Sequence, residues 1–170
     1  KLQEINKDLI AKNLPVVNIG IGITKGIATI GEIGSVGRSD FTIIGDNVNI
    51  ASRIESLCKY YGSSLIISED TKNKLTGEYI FRYLDNIQVK GKDKSIKIWE
   101  VLNPSIYNEQ FKQELEKYNQ AIKLYYEQEF KEAIRLLEEL ETISNTKIYT
   151  LFKNRAIEFL NNNNLFLFLL

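Results

Sequence analysis

Apolar residues recur along the chain with two periods, and the switches between them predict its elements. Leu2, Ile5, Leu9 and Ile10 sit at helical spacing in LQEINKDLIAKN and predict a helix that ends near Asn13-Leu14-Pro15. VVNIGIGIT then alternates, with Ile19, Ile21 and Ile23 on one face and Asn18, Gly20, Gly22 and Thr24 on the other. The isoleucine face is expected to pack into a core. The other is nearly bare backbone, which in a strand marks a place where something approaches closely. Lys25-Gly26 reads as a turn into a second strand, IATIG, so 16–31 is expected to form a hairpin, followed by a glycine-dotted loop, EIGSVGRSD.

DFTII predicts a strand that runs into a helix capped by Asp46 or Asn47. The buried side of that helix is expected at Val48, Ala51, Ile54, Leu57 and Cys58. SSLIIS predicts a short strand, then a helix capped at Ser68 or Asp70, and IFRYLDNIQVKGKDKSIKIWEVL predicts two strands around Gly91-Lys92-Asp93-Lys94. Strands and helices alternate without long repeats, so residues 1–102 are of mixed α and β class. Composition shifts at Asn103-Pro104, and Tyr107 to Asn161 contains neither Gly nor Pro. Tyr118, Ala121, Ile122 and Tyr125, then Phe130, Ala133, Leu136, Leu137 and Leu140, resemble a helical hairpin of the tetratricopeptide type, with a third helix at about 147–160. Such repeats need about three copies to bury a core, so 103–160 is expected to be an appendage. NNNN and LFLFLL make 161–170 a low-complexity or truncated end.

Composition narrows the chemistry. With 22 basic and 22 acidic residues the net charge is zero, and nothing suggests a nucleic-acid or anionic-membrane surface. There is no histidine, which removes Ser-His-Asp and Cys-His catalysis and imidazole metal sites. Cys58 is the only cysteine, so there is no internal disulfide and no thiolate cage. The chain lacks methionine, begins at Lys1 and shows no signal peptide, and it reads as a fragment. No apolar run approaches the roughly 20 residues that span a bilayer. A cytoplasmic location is expected, with a membrane reached only through an anchor upstream of Lys1.

The candidate chemistry lies in DFTIIGDNVNIASR, residues 40–53. Asn49 and Arg53 are four apart, one turn on the same helix face, and an amide beside a guanidinium suits an anionic ligand. A plain solvated helix face is the alternative. Against it, the residues three and four from Arg53 are Asn49, Ile50, Ser56 and Leu57, none acidic. Gly20, Gly22 and Gly26 do not make a dinucleotide fingerprint, because a strand follows them, and no window fits a P-loop.

GIGITKG, GEIGSVGRSDFTIIGDNVNIASRIESL and QVKGKDKSIKIWEV together, in this order and spacing, resemble the second half of a class III nucleotidyl cyclase catalytic domain. The likeness covers about 14–102, and the helical tail is similar to the extension that follows the cyclase domain in some bacterial members. The resemblance implies an α+β, ferredoxin-like domain of which this is the later half, with an α-helical hairpin appended. It implies conversion of a nucleoside triphosphate to a 3′,5′-cyclic monophosphate and pyrophosphate. Arg53 matches the transition-state arginine, Asn49 the asparagine that holds the ribose, and Lys90 the hairpin lysine on the terminal phosphates. Thr42 takes the purine-reading position and resembles an ATP-using subgroup, since a hydroxyl both donates and accepts at an adenine edge.

The family's Mg²⁺ (or Mn²⁺) ligands are two aspartates upstream of GIGI. No metal ligand is assigned in this chain, Asp40 and Asp46 matching neither, so the chain alone is expected to be inactive. A homodimer or a second cyclase domain would complete the interfacial site. Guanylate cyclase, and a degenerate cyclase-like domain that binds nucleotide without turnover, stay open as alternatives. A protein-interaction module centred on 104–160 is a third reading.

Overall fold

The computed structural model describes residues 1–35, 38–88 and 95–161. Helix α1 (Leu2–Ala11) leads to a short strand β1 (Ile21–Ile23), and β2 (Thr29–Ser35) and β3 (Arg38–Ile44) follow. Then come α2 (Asp46–Tyr61), β4 (Leu65–Ser68), the single turn α3 (Glu69–Lys72), β5 (Ile80–Gln88) and β6 (Ser95–Leu102). A 3₁₀ turn at Pro104–Ile106 leads into α4 (Glu109–Tyr126), α5 (Phe130–Ile143) and α6 (Lys147–Asn161). The fold is α+β with a helical C-terminal extension.

Strands β1, β4, β6 and β5 form one sheet in that order, while β2 and β3 form a separate antiparallel ribbon. The expected hairpin at 16–31 does not form. β1 instead pairs in parallel with β4, Ile21 opposite Leu65 and Ile23 opposite Ile67, and β2 pairs with β3, Thr29 opposite Ile44. The segment expected as a glycine loop is mostly the body of that ribbon, with Glu32 opposite Phe41 and Gly34 opposite Ser39. The β5–β6 hairpin forms as expected, with register Ile80 to Leu102 and a slip between Tyr83 and Asp85.

The bare face of β1 is where α2 lies. A Cβ on Gly22 would stand 2.3 Å from the Ala51 carbonyl oxygen and 2.4 Å from the Glu55 nitrogen, and one on Gly20 would be 3.0 Å from Glu55 Oε1 and from the Cys58 Cβ. The close approach read from the sequence is thus a helix on a strand. The opposite face departs from expectation: Ile19, Ile21 and Ile23 are 43–50% exposed, because no element among the described residues packs over them. Ile30, Phe41, Ile43 and Ile44 of the ribbon are exposed as well, Phe41 by 79%. The core lies on α2's side. Ile50, Ile54, Cys58 and Tyr61 are the buried residues of α2, whereas Val48, Ala51 and Leu57 are half-buried.

One apolar cluster runs from α2 through Ile66, Leu84, Ile87 and Ile98 of the sheet into Tyr118, Tyr125, Leu137, Tyr149 and Phe152 of the extension. Two polar knots cross the same boundary. Asp85, 6% exposed at the β5 slip, accepts hydrogen bonds from Tyr61 (2.7 Å), Tyr126 (2.9 Å), Arg155 (2.6 Å) and its neighbour's backbone, Asn86 N (2.9 Å). Arg82 pairs with Glu100 (2.7 Å) and donates to the Tyr149 hydroxyl, which donates to Glu114. Tyr118 donates to the Tyr83 carbonyl at 2.8 Å, and Tyr83 to the Tyr126 hydroxyl at 3.1 Å.

Two outcomes test this packing. Gly22→Ala must push strand and helix backbones apart and should cost about 3 kcal/mol in urea unfolding, as overpacking does. Gly31→Ala, where an added Cβ meets nothing within 4 Å, should change stability by less than about 0.5 kcal/mol. Burial pushes the hydroxyls of Tyr61, Tyr83, Tyr118, Tyr125, Tyr126 and Tyr149 above their ordinary value of 10, to about 12 for Tyr83 and Tyr125. Above pH 10 the unfolded chain sheds these protons while the folded one keeps them, so stability falls as pH rises, by about 1.4 kcal/mol per pH unit per tyrosine. The chain should unfold between about pH 10 and 12, with phenolate absorbance from these six rings appearing only with the loss of helical circular dichroism.

Candidate functional site

α2 carries the two side chains singled out by their spacing. It starts from Gly45, which serves as the N-cap without a side-chain capping bond, so the expected cap at Asp46 or Asn47 is not used. Asn47 instead reaches back to the Ile27 carbonyl at 3.1 Å, filling the space a Cβ on Gly26 would need. This ties the helix entry to the β1–β2 connection. Gly62 ends the helix in the left-handed conformation at φ 72°, donating through the following Ser63 N–H to the Cys58 carbonyl.

Asn49 and Arg53 lie one turn apart in the unbroken helix, and both are exposed. Neither side chain makes a hydrogen bond or ion pair among the described residues. The contrast is with Arg82, Arg135 and Arg155, each of which holds a carboxylate. Thr42 sits on β3, half-buried and opposite Gly31, which leaves open space beside it on the neighbouring strand. Thr42 precedes the helix entry by Ile43, Ile44 and Gly45. Lys90 lies outside the described residues. The arrangement presents one guanidinium, one amide and, at the ribbon, one hydroxyl, none with a side-chain partner among the described residues.

No group of three or more His, Cys, Asp or Glu side chains that could hold a metal ion occurs among the described residues. Cys58 donates weakly to the Ile21 carbonyl at 3.5 Å, and burial raises its thiol above the ordinary value, which marks it as packing. Sequence reasoning passed over the Asp85 knot. The available signal was the lone acid of the strand IFRYLDNIQ, and its side-chain partners are 24 to 70 residues away. No helix among the described residues is long and apolar enough to cross a membrane.

Residues 1–102 match the family model of the adenylate and guanylate cyclase catalytic domain. The chain belongs to this family. Over 91 residues the cyclase chain is 44% identical to an adenylate cyclase of Anabaena cylindrica, a match covering 52% of this chain and 18% of the relative. It is 33% identical over 102 residues to adenylate cyclase 1 of Rhizobium meliloti, covering 60% of this chain and 15% of the relative. The adenylyl cyclase CyaB from P. aeruginosa is a structural neighbour, with TM-score 0.51, 30% identity, and coverage of 60% of this chain and 52% of that one. The chain therefore spans about a sixth of the curated relatives in these two matches.

Since Asn49 and Arg53 make no hydrogen bond or ion pair among the described residues, Asn49→Ala and Arg53→Ala should each shift unfolding free energy by less than about 0.5 kcal/mol. Urea denaturation followed by circular dichroism checks this. A loss above about 1 kcal/mol for Arg53→Ala would mean that the arginine serves the fold.

Proposed function

We propose that this chain is the later part of an adenylate cyclase catalytic domain, acting on ATP to give 3′,5′-cyclic AMP and pyrophosphate. The observation that carries the reading is the exposed guanidinium of Arg53, without a partner among the described residues and one turn from Asn49 in a chain of the cyclase family. A bare cation at a surface is ordinarily free to find a carboxylate, and α2 places none beside it. The names of the relatives favour ATP as substrate.

In the reaction the ribose 3′-oxygen forms a bond to the α-phosphorus, the bond from that phosphorus to the bridging oxygen breaks, and pyrophosphate leaves. The 3′-hydroxyl proton passes to solvent. Negative charge shifts among the phosphoryl oxygens, and the forked guanidinium donors of Arg53 are assigned to hold it. Asn49 is assigned to the ribose, where an amide can both accept from and donate to sugar oxygens and hold the attacking atom in line. Thr42 is assigned to the adenine edge, and Lys90 to the terminal phosphates. Magnesium or manganese, required for the family's chemistry, is assigned to aspartates outside this chain. The 170 residues alone are accordingly proposed to be inactive, and a second cyclase domain, of the same or another chain, completes the site.

The test uses a protein in which a complete catalytic domain includes this chain. Arg53→Ala should lower kcat for cyclic AMP formation about 10²- to 10³-fold, the typical loss on removing one charge-stabilising donor, with KM for ATP within about threefold. Unchanged kcat would refute the assignment. Turnover of GTP in preference to ATP would make the domain a guanylate cyclase, and ATP binding without product would make it a non-catalytic nucleotide-binding domain.

A further inference from the structure

α2 rests on a strand that offers it no side chains. At Gly22 the contact is backbone against backbone, and at Gly20 the Glu55 and Cys58 side chains of α2 lie on bare strand backbone, so this face supplies little to stop the helix from rolling about its axis. Ile50 and Ile54 are held by apolar packing, which is non-directional, and on this side Cys58 adds only a weak thiol bond to the Ile21 carbonyl. Asn47 ties the entry of the helix to the Ile27 carbonyl, and at the C-terminal end of α2 the directional contacts come from α6. Lys147 at the start of α6 donates to the Lys59 carbonyl at 2.9 Å and packs its side chain against Gly62. Arg155, two turns further on, donates to the Tyr60 hydroxyl at 3.1 Å and lies over that ring at 5.7 Å. The same guanidinium donates to Asp85, which also accepts from Tyr61. Three successive residues of the site helix are thereby pinned by one helix of the extension.

We propose that Arg155 is a positioning residue for the candidate site, and that the helical extension sets the pose of α2, and through it of Asn49 and Arg53. This rests on the reading of α2 as the site helix. The magnitudes are sufficient. A helix with its side chains is about 10–12 Å across, so a roll of about 10° carries a side-chain tip about 1 Å, and a misplacement of that size costs about 10²-fold in rate. Arg155 bonds to Asp85 and Tyr60 through different nitrogens of one planar fork, so a lysine there cannot hold both at once with the same geometry. The extension is then a part of the catalytic unit and a route by which anything that moves α6 would change turnover.

Amide hydrogen exchange on this chain and steady-state kinetics on the complete catalytic domain test the two halves of the idea separately. In Arg155→Ala, amides of α2 should exchange at least tenfold faster while those of α5 change less than about twofold. In the complete enzyme the same change should lower kcat at least tenfold with KM for ATP within about threefold, and Arg155→Lys should recover part of both effects. Lys147→Ala, a milder change at the other pin, should give smaller effects of the same kind and serves if Arg155→Ala does not fold. Unaltered α2 exchange in Lys147→Ala and Arg155→Lys, or equal acceleration in α2 and α5, would overturn the positioning role. So would a kcat loss that only tracks the folded fraction. A wild-type enzyme without turnover would sink the proposed function, while the exchange arm would still decide whether α6 holds α2.

Discussion

A buried carboxylate must be compensated where it stands, and Asp85 governs how the parts of this molecule meet. Its four hydrogen bonds come from α2, β5, α4 and α6, so the acid can be satisfied only when sheet, site helix and extension are all in place. Taking one charge out of water costs several kcal/mol, and the return depends on geometry that apolar contacts do not enforce. Arg155 is drawn into the same arrangement: burial works against its charge, but Asp85 outweighs that and holds the guanidinium more firmly protonated than usual. The apolar cluster around the knot supplies most of the driving force, and the knot chooses one alignment among the many that would bury similar area.

The helices were legible because their stripes are long and uninterrupted. In α4 and α5 the residues expected inside, from Tyr118 to Leu140, are buried except Phe130, which is half-buried. The sheet was harder. Ile21–Ile23 pairs with Leu65–Ile67, more than forty residues away and in parallel, and nothing local distinguishes that from a hairpin with the next apolar run. Gly26 looked like a turn residue, yet its lack of a Cβ makes room for Asn47. Gly20 and Gly22 mark a place of close approach in the sequence, and the element that approaches is α2. The alternating isoleucines promised a core that these residues do not provide, since alternation reports a face suited to burial and not the element that buries it.

The candidate site was legible for a different reason: motif residues stand out when they do no structural work. Asn49 and Arg53 have no partners among the described residues, whereas Arg82 and Arg155 look equally unremarkable in the sequence and turn out to be fully engaged. The Asp85 knot could not be read in advance because its members are far apart in the chain and belong to a strand alternation and three separate helical stripes.

The shared core has a consequence for where this protein can be divided. The family match stops at residue 102, but Leu84, Asp85 and Ile87 on β5 owe their burial in part to helices that begin after it. Sequence homology and folding cooperativity thus draw their borders in different places. A chain ended at the homology border would carry an acid and an apolar strand face into water, and evolution that lengthened or traded the tail would have had to refit that face each time.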